Sequence, residues 1–214
     1  MLLIFDLDGT IFQAKPVVLR ADWGLLRELG APWIDESALF RNAGRGVDTL
    51  LRNILPADVD LAAARARYIE IVREAILDIG ELFPGVREAL ELLYAQGHAL
   101  VVCSNSPEEY VKLVLEHTGI SGLFARYLSS EAYTSKAEAI RELLGETAVV
   151  IGDTHGDVEA AHENGLPAIA AAYGYGNREM LAAADYLAET PEDIANCVAT
   201  LCGLQPTLSA ACSS

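Results

Sequence analysis

The chain has 214 residues, 52% of them hydrophobic, which is enough apolar material for one domain of ordinary size or for a domain with a smaller insert. Its formal net charge of −16 disfavours nucleic acid and anionic membrane surfaces as partners. The first apolar run is short and ends at Asp6, so the sequence predicts no signal peptide. It has no run of about 18 uncharged apolar residues, which predicts no membrane span. Its four cysteines form no CxxC pair, and the sequence predicts a cytoplasmic location.

The predicted elements begin with a strand at residues 2–5, an unbroken apolar run typical of a strand buried on both faces of a sheet. Residues 15–79 then carry only helical signals, including a long run of good helix formers that ends at Gly80. From Pro84 onward, helices alternate with strands at HALVVCS, ARYLSS, AVVIGD and PAIAAAYG. This alternation predicts a parallel sheet with helices on both faces.

The order of these elements predicts two structural units and a tail. A parallel α/β core comprises residues 1–14 and 81–204, an all-helical insert comprises residues 15–80, and residues 205–214 form a frayed tail. The insert is close to neutral, with 9 basic and 10 acidic residues, whereas the rest of the chain is strongly acidic. Because ligands of such sheets bind beyond the carboxyl ends of the strands, the residues at those ends are the first candidates for a functional site.

The first strand ends in a run of polar residues, DLDGT. Alternate residues of an extended chain point to one side, so Asp6 and Asp8 bring two carboxylates into one small space. They repel each other unless one keeps its proton or a hard divalent cation such as Mg²⁺ binds them. Gly9 lets the backbone approach a ligand closely and Thr10 adds a hydroxyl donor, although an Asp-Gly turn at a strand end would use the same residues.

The second strand ends in CSNSPEEY. Ser106, Pro107 and Glu109 have the spacing of a helix N-terminus with a capping box. Ser104 and Asn105 are left without a capping role. A hydroxyl and free backbone N–H groups at a strand end suit a phosphate oxygen, and an ordinary polar turn is the alternative.

Two further junctions carry charged residues. Ser135 and Glu138 have capping-box spacing, which places Lys136 in a first helical turn, where the helix dipole disfavours a cation. The strand AVVI runs into GDTHGD, which adds Asp153 and Asp157. An exposed lysine and a helix-capping aspartate are the alternatives, but four such features at the junctions of one sheet favour a site.

This ordered set of motifs resembles that of the haloacid dehalogenase-like (HAD) phosphohydrolase superfamily. DLDGT matches its first motif, Ser104 the second, Lys136 the third and GDTHGD the fourth, and the resemblance covers nearly the whole chain. The place of the helical insert, between motifs one and two, resembles the phosphoglycolate phosphatase-like branch. The resemblance implies an α/β fold, a Rossmann-like parallel-sheet core with an inserted all-helical cap domain.

The resemblance also implies roles for the motif residues. Asp6 would be the nucleophile, and Asp8 would be the general acid for the leaving group and then the base for water. The residues that would bind phosphate are Gly9, Thr10, Ser104, Asn105 and Lys136. The residues that would bind Mg²⁺ are Asp6, Asp8 through its carbonyl oxygen, Asp153 and, in support, Asp157.

The function implied by the resemblance is Mg²⁺-dependent hydrolysis of a small phosphomonoester, phosphoglycolate-like or a sugar phosphate, through an aspartyl-phosphate. The partner would be a small phosphorylated metabolite, with no nucleic acid and no membrane. Two alternatives stay open. One is a phosphomutase of the β-phosphoglucomutase type, whose motifs barely differ, and the other is a non-catalytic phosphate-binding module, against which the complete set of motif residues argues.

The cap contains a candidate selectivity site in the stretch FRNAGRGVDTLL, between two helical pieces. Gly44 and Gly46 flank Arg45, whose guanidinium fork suits carboxylate or phosphate oxygens. Relatives of this branch use a cap loop at about this place for selectivity. We therefore expect Arg45, with Asn42 behind it, to contact the substrate, and a surface arginine in a turn between helices is the alternative.

Overall fold

The computed structural model describes residues 1–40, 46–129, 131–143 and 147–203. The strands are β1 (Leu2–Phe5), β2 (Ala99–Cys103), β3 (Phe124–Leu128), β4 (Ala148–Gly152), β5 (Ala168–Ala171) and β6 (Tyr186–Ala188). The helices are α1 (Ala14–Glu28), α2 (Glu36–Phe40), α3 (Val47–Ile54), α4 (Leu61–Ile79), α5 (Val86–Ala95), α6 (Glu108–His117), α7 (Lys136–Arg141), α8 (His155–Glu163), α9 (Arg178–Leu181) and α10 (Pro191–Leu201).

The strands form one parallel sheet in the order β3-β2-β1-β4-β5-β6. The chain proceeds from β1 to β2 and β3 on one side, and then continues with β4 on the other side. This is the strand order of a Rossmann-like fold, and ligands of such sheets bind at the strand where the order reverses. The predicted α/β fold is confirmed, and the reversal directs attention to the carboxyl end of β1.

Two hydrophobic clusters cover the two faces of the sheet. Leu3 and Phe5 of β1 pack into one cluster with α5, α6 and α10, whereas Leu2 and Ile4 pack into the other with α7 and α8. This division follows from the alternation of side chains along a strand. Because β1 is buried on both faces, its sequence is an unbroken apolar run, and Asp6 is the first polar residue after it.

The helical cap, α1 to α4, has a hydrophobic cluster of its own, in which α1 and α4 pack along each other. The helix ends nearest the sheet belong instead to the cluster of the core, through Val17 of α1 and through Ala75 and Ile76 of α4. α1 and α4 thus each contribute residues to both hydrophobic clusters, one at the core and one in the cap. The residue bounds predicted for the cap, 15–80, and for the core stay a prediction.

The two segments that join the cap to the core run side by side in antiparallel directions. The Phe83 N–H donates to the Ile11 carbonyl at 3.0 Å, and the Gln13 N–H donates to the Glu81 carbonyl at 2.9 Å. The side-chain amide of Gln13 also donates to the Leu82 carbonyl at 2.8 Å. These bonds hold the segment that leads into the cap beside the segment that leads back to the core.

The predicted tail at residues 205–214 lies outside the described residues. Within the described part of the chain, no helix combines the length and the apolar character that a membrane span requires.

Candidate active site

Four of the predicted residues converge beyond the carboxyl end of β1. Asp6 follows β1 directly, Ser104 follows β2, Asp153 follows β4, and Lys136 is the first residue of α7. β2 and β4 are the two sheet neighbours of β1, so their ends lie on either side of Asp6. The topology therefore brings together side chains that are far apart in the sequence.

Lys136 lies between two buried carboxylates. Its Nζ donates to Asp6 Oδ1 and to Asp157 Oδ1, each at 2.5 Å. Burial disfavours the charged form of Lys136, but the attraction of Asp157 and Asp6 outweighs burial and raises its pKa, so Lys136 stays a cation. This contact explains why a lysine is tolerated in the first turn of a helix, where the dipole disfavours it.

Asp6, Asp153 and Asp157 form a group of buried carboxylates whose oxygens lie within 4.8 Å of one another. Burial raises the pKa of Asp6 well above its usual value, Lys136 opposes this effect, and Asp157 and Asp153 add to it. Burial also raises the pKa of Asp153 to about 6. One lysine does not balance three carboxylates, so this oxygen-rich group fits a hard divalent cation.

Asp157 uses both of its carboxylate oxygens. Oδ1 accepts from Lys136, and Oδ2 accepts from the Thr154 N–H at 2.9 Å and from the Thr154 hydroxyl at 2.7 Å. Thr154 and Asp157 thus form the capping box that begins α8. The interpretation of Asp153 as the cap of this helix is wrong, since Thr154 occupies that position.

Asp8 is hydrogen-bonded on both oxygens by residues at the start of α6. Oδ2 accepts from the Ser106 hydroxyl at 2.8 Å, and Oδ1 accepts from the Tyr110 hydroxyl at 2.8 Å. Burial raises the pKa of Asp8, while these two hydrogen bonds lower it. The side chain of Asp8 is not among the three clustered carboxylates of the described residues, and the expected metal contact of its carbonyl stays a prediction.

The predicted capping box of α6 is wrong. Pro107 is the residue at the N-cap, α6 begins without a side-chain cap, and the Ser106 hydroxyl is directed to Asp8 instead. Tyr110 had not been identified from the sequence. Its contact with Asp8 joins residues 102 positions apart, and no local pattern in the sequence indicates it.

Ser104 is buried at the end of β2, and its hydroxyl oxygen accepts from the Ser106 N–H at 3.1 Å. The hydroxyl keeps its own hydrogen to donate, as a phosphate oxygen requires. Asn105 is exposed beside it. The phosphate contacts of both residues stay predictions.

Gly9 and Thr10 lie against Asp153. Gly9 has a φ of +93°, and a methyl group on its Cα would lie 2.2 Å from Asp153 Oδ2. The Thr10 hydroxyl is buried 3.4 Å from Asp153 Oδ1. Both residues thus position a candidate metal ligand, and their expected contacts with phosphate stay a prediction.

The loop after β5 encloses Asp153 from the other side. A methyl group on Gly174 would lie 2.4 Å from Asp153 Cβ, and one on Gly176 would lie 1.7 Å from the Asp153 carbonyl oxygen. The Tyr175 N–H donates to Asp153 Oδ2 at 2.8 Å, and the Tyr173 hydroxyl donates to the Thr10 carbonyl at 2.8 Å. This loop is not among the predicted site elements, and the repeated Tyr-Gly pair is the feature of the sequence that marks it.

Asn42 and Arg45, the predicted selectivity residues of the cap, lie outside the described residues. Their contact with a substrate stays a prediction.

The fold and the site define an α/β enzyme whose central strand ends at a buried carboxylate, beside a lysine and two further carboxylates. Residues 3–171 match the family model described as haloacid dehalogenase-like hydrolase, and the chain belongs to this family. The predicted recognition is confirmed. So is the prediction of a hydrolase of phosphoric monoesters, which sets aside the alternative of a non-catalytic module.

Named relatives are similar over most of their length. A phosphoglycolate phosphatase of Aliivibrio fischeri is 29% identical, over 84% of this chain and 87% of the relative. A phosphoglycolate phosphatase of Pseudomonas putida is 30% identical, over 81% of this chain and 70% of the relative. The crystal structure of a predicted phosphoglycolate phosphatase from Haemophilus somnus superimposes with a TM-score of 0.82 at 25% identity, over 92% of this chain and 97% of the other.

Proposed function

We propose that the protein is a Mg²⁺-dependent phosphatase that hydrolyses a small phosphomonoester through an aspartyl-phosphate on Asp6. The observation that carries this proposal is the position of Asp6 at the carboxyl end of the central strand, bonded to Lys136 and grouped with Asp153 and Asp157. Burial raises the pKa of Asp6, whereas Lys136 lowers it, and a bound cation would help to keep Asp6 in the ionised form that nucleophilic attack requires.

In the first step an oxygen of Asp6 forms a bond to phosphorus while the bond to the leaving oxygen breaks. Lys136 holds Oδ1 of Asp6, which fixes the carboxylate, and Oδ2 is the oxygen that attacks in this proposal. Lys136 and the Ser104 hydroxyl supply a positive charge and a donor for the phosphoryl oxygens. Asp8 gives its proton to the leaving oxygen.

In the second step water attacks the phosphorus of the aspartyl-phosphate. Asp8, now ionised, takes a proton from this water, and the bond between Asp6 and phosphorus breaks to release inorganic phosphate. The hydrogen bonds from Ser106 and Tyr110 stabilise the ionised form of Asp8 that this step needs.

The candidate metal ligands are Asp6 and Asp153, with Asp157 in support and the carbonyl of Asp8 as the predicted fourth group. A bound Mg²⁺ would neutralise negative charge on the carboxylates and on the phosphoryl group, so that one anion can approach another. One or two carboxylates together with substrate oxygens are the usual protein ligands of this ion.

The substrate class follows from the relatives and the cap. Relatives named phosphoglycolate phosphatase make phosphoglycolate the first candidate, and a sugar phosphate is the second. Arg45 and Asn42 would contact the part of the substrate that leaves, because the cap carries the selectivity in the proposed scheme. The cysteines of the described residues are free thiols, which supports a cytoplasmic location.

The proposal is tested with purified protein on p-nitrophenyl phosphate, phosphoglycolate and a panel of sugar phosphates, each with Mg²⁺ and with EDTA. We expect Mg²⁺-dependent release of inorganic phosphate, fastest with one of the small alkyl esters. An isomerised sugar phosphate among the products would instead favour the phosphomutase. Absence of hydrolysis across the panel, or full activity in EDTA, would contradict the proposal.

A further inference from the structure

Two hydroxyl groups hold the carboxyl group of Asp8 from opposite ends. Tyr110 Oη donates to Oδ1 and Ser106 Oγ donates to Oδ2, both at 2.8 Å. Ser106 immediately precedes the proline before α6, and Tyr110 lies in the first turn of that helix. The contacts therefore join the loop after β1 to the loop after β2 and the start of α6.

The contact with Asp8 takes the place of the helix-capping role that a serine in the position of Ser106 often has. A serine at the start of a helix stabilises it by about 1 kcal/mol when its side chain caps the first turn. The sequence predicts this role for Ser106, yet Pro107 is at the N-cap and α6 begins without a side-chain cap. The Ser106 N–H also donates to Ser104 Oγ, so Ser106 connects Asp8 to the predicted phosphate donor.

Tyr110 is a rigid support. Its ring is partly buried against the hydrophobic cluster of the core, next to Val111 and Val114 on the same helix. A ring held by packing has few rotamers left, and a buried phenol hydroxyl requires a hydrogen-bond partner. The carboxylate of Asp8 supplies that partner, so the direction of this hydrogen bond is set by the packing of α6.

The geometry is compatible with proton transfer by Asp8. Each carboxylate oxygen has two acceptor positions, and the two hydroxyls occupy one position on each oxygen. A second position on each oxygen remains for the proton that passes to the leaving group. A carboxyl group fixed at both oxygens rotates little about its side-chain bonds, and correct orientation accounts for much of the effect of a general acid.

We propose that Tyr110 and Ser106 are positioning residues, which fix the carboxyl group of Asp8 so that it protonates the leaving oxygen. This inference rests on the proposed function, in which Asp8 is the general acid. Its distinctive consequence concerns the leaving group. An alkoxide requires a proton as the bond to phosphorus breaks, whereas p-nitrophenolate leaves readily without one.

The experiment measures kcat/KM of Tyr110→Phe with p-nitrophenyl phosphate and with the better alkyl substrate among phosphoglycolate and glucose 6-phosphate. We use kcat/KM because it reports the first chemical step. We expect a loss of about 10- to 100-fold with the alkyl ester, part of the 10²- to 10⁴-fold that a general acid contributes. With p-nitrophenyl phosphate the expected loss is less than about threefold.

Four further variants, the last of them a double variant, separate positioning from a general loss of structure. Tyr94→Phe removes the hydroxyl of an exposed tyrosine on α5 and should leave both substrates unaffected. Ser106→Ala should repeat the selective loss, and Ser106→Thr, which keeps a hydroxyl, should restore most of it. In an Asp8→Asn background, Tyr110→Phe should have no further effect on the alkyl ester.

Equal losses with both substrates, or no loss with either, would overturn the inference while the wild-type enzyme remained an active phosphatase. An additional loss in the Asp8→Asn background would overturn it as well. A wild-type protein that hydrolyses none of the three esters would instead contradict the proposed function. The two failures are therefore distinguishable.

Discussion

The Cα atom of Gly9 faces the carboxylate of Asp153 with no space for a side chain between them. A methyl group at this position would lie 2.2 Å from Oδ2 and 2.8 Å from Oδ1 of Asp153. Gly9 is therefore required for two independent reasons, its positive φ and the candidate metal ligand beside it.

Gly9→Ala should destabilise the protein and weaken Mg²⁺ binding, because the added methyl group displaces Asp153. Gly97→Ala is the matched control, since Gly97 has a φ of +82° and none of the described residues comes within 4 Å of an added methyl group. The control should lose only the roughly 1–2 kcal/mol of left-handed backbone strain, without a change in metal affinity. Urea unfolding and Mg²⁺ titration calorimetry measure both quantities, and similar values for the two variants would contradict the prediction.

Asp6→Asn should abolish turnover, by roughly 10⁴-fold or more, because an amide is not a nucleophile for phosphorus. The fold should persist, since the side chains have nearly the same shape and Lys136 keeps its contact with Asp157. Acid-quenched wild-type enzyme, digested and mapped by mass spectrometry, should carry the phosphoryl group on Asp6. A phosphorylated residue elsewhere in the chain would reject this assignment.

Asp153→Ala should raise the dissociation constant for Mg²⁺ by roughly tenfold or more, because few protein oxygens bind this ion and one of them is removed. Calorimetric titration of the protein without substrate provides a readout that is independent of activity. Saturating Mg²⁺ should restore part of the turnover. Unchanged metal affinity would exclude Asp153 from the site.

Asp157→Ala should affect both stability and activity, and the chain contains a matched control for the first effect. Asp193 accepts from the N–H and the hydroxyl of Thr190 at the start of α10, as Asp157 does from Thr154 at the start of α8. Asp193→Ala should lose about 1 kcal/mol of helix capping and keep full activity. Asp157→Ala should lose more, since Lys136 also loses a buried partner. Equal behaviour of the two variants would reduce Asp157 to a helix cap.

Asp22 should make the stability of the protein depend on pH. It is fully buried in the cap, Oδ1 accepts from the Tyr68 hydroxyl at 2.9 Å, and Oδ2 has no partner among the described residues. Burial raises the pKa of Asp22 to about 6. The protonated carboxyl is therefore favoured in the folded state, so this contribution is fully present below the unfolded pKa of about 4 and is lost as the pH rises through about 6.

We expect the free energy of unfolding of the wild type, relative to that of Asp22→Asn, to fall by about 2 kcal/mol between pH 4 and pH 7. Asparagine does not titrate and keeps an oxygen for Tyr68, so the variant should be the more stable protein at pH 7. Chemical unfolding at a series of pH values gives this difference directly. A difference that is flat in pH would show that Asp22 titrates normally.

The sequence predicted the core of the site because its signals are local. An apolar run followed by Asp6, or by Asp153, marks the end of a buried strand, and the alternation of helices and strands then brings such ends to one edge. The partners of Asp8 had no such signal. Ser106 and Tyr110 are separated from it by 98 and 102 residues, so their contacts depend on tertiary packing.

The difference between local signals and tertiary contacts also explains why the predicted capping box at α6 is wrong. Ser106, Pro107 and Glu109 satisfy the local rule for a helix start, and the rule makes no reference to a carboxylate from another strand. A charged hydrogen bond to a buried carboxylate contributes more than a helix cap, roughly 1.5–3 against about 1 kcal/mol, so the tertiary contact takes the hydroxyl.

The antiparallel segments at Gln13 and Glu81 shorten the loop that must close when β1 meets β2 during folding. Leu2 pairs with Ala99, and the whole cap lies between them in the sequence. The entropy lost on closing a loop grows with its length. Once α1 has packed along α4 and these segments have paired, the residues of the cap no longer add to the length of flexible chain that separates β1 from β2. We therefore expect that packing of the cap helices early in folding brings β1 and β2 close together. This lowers the effective contact order of the sheet.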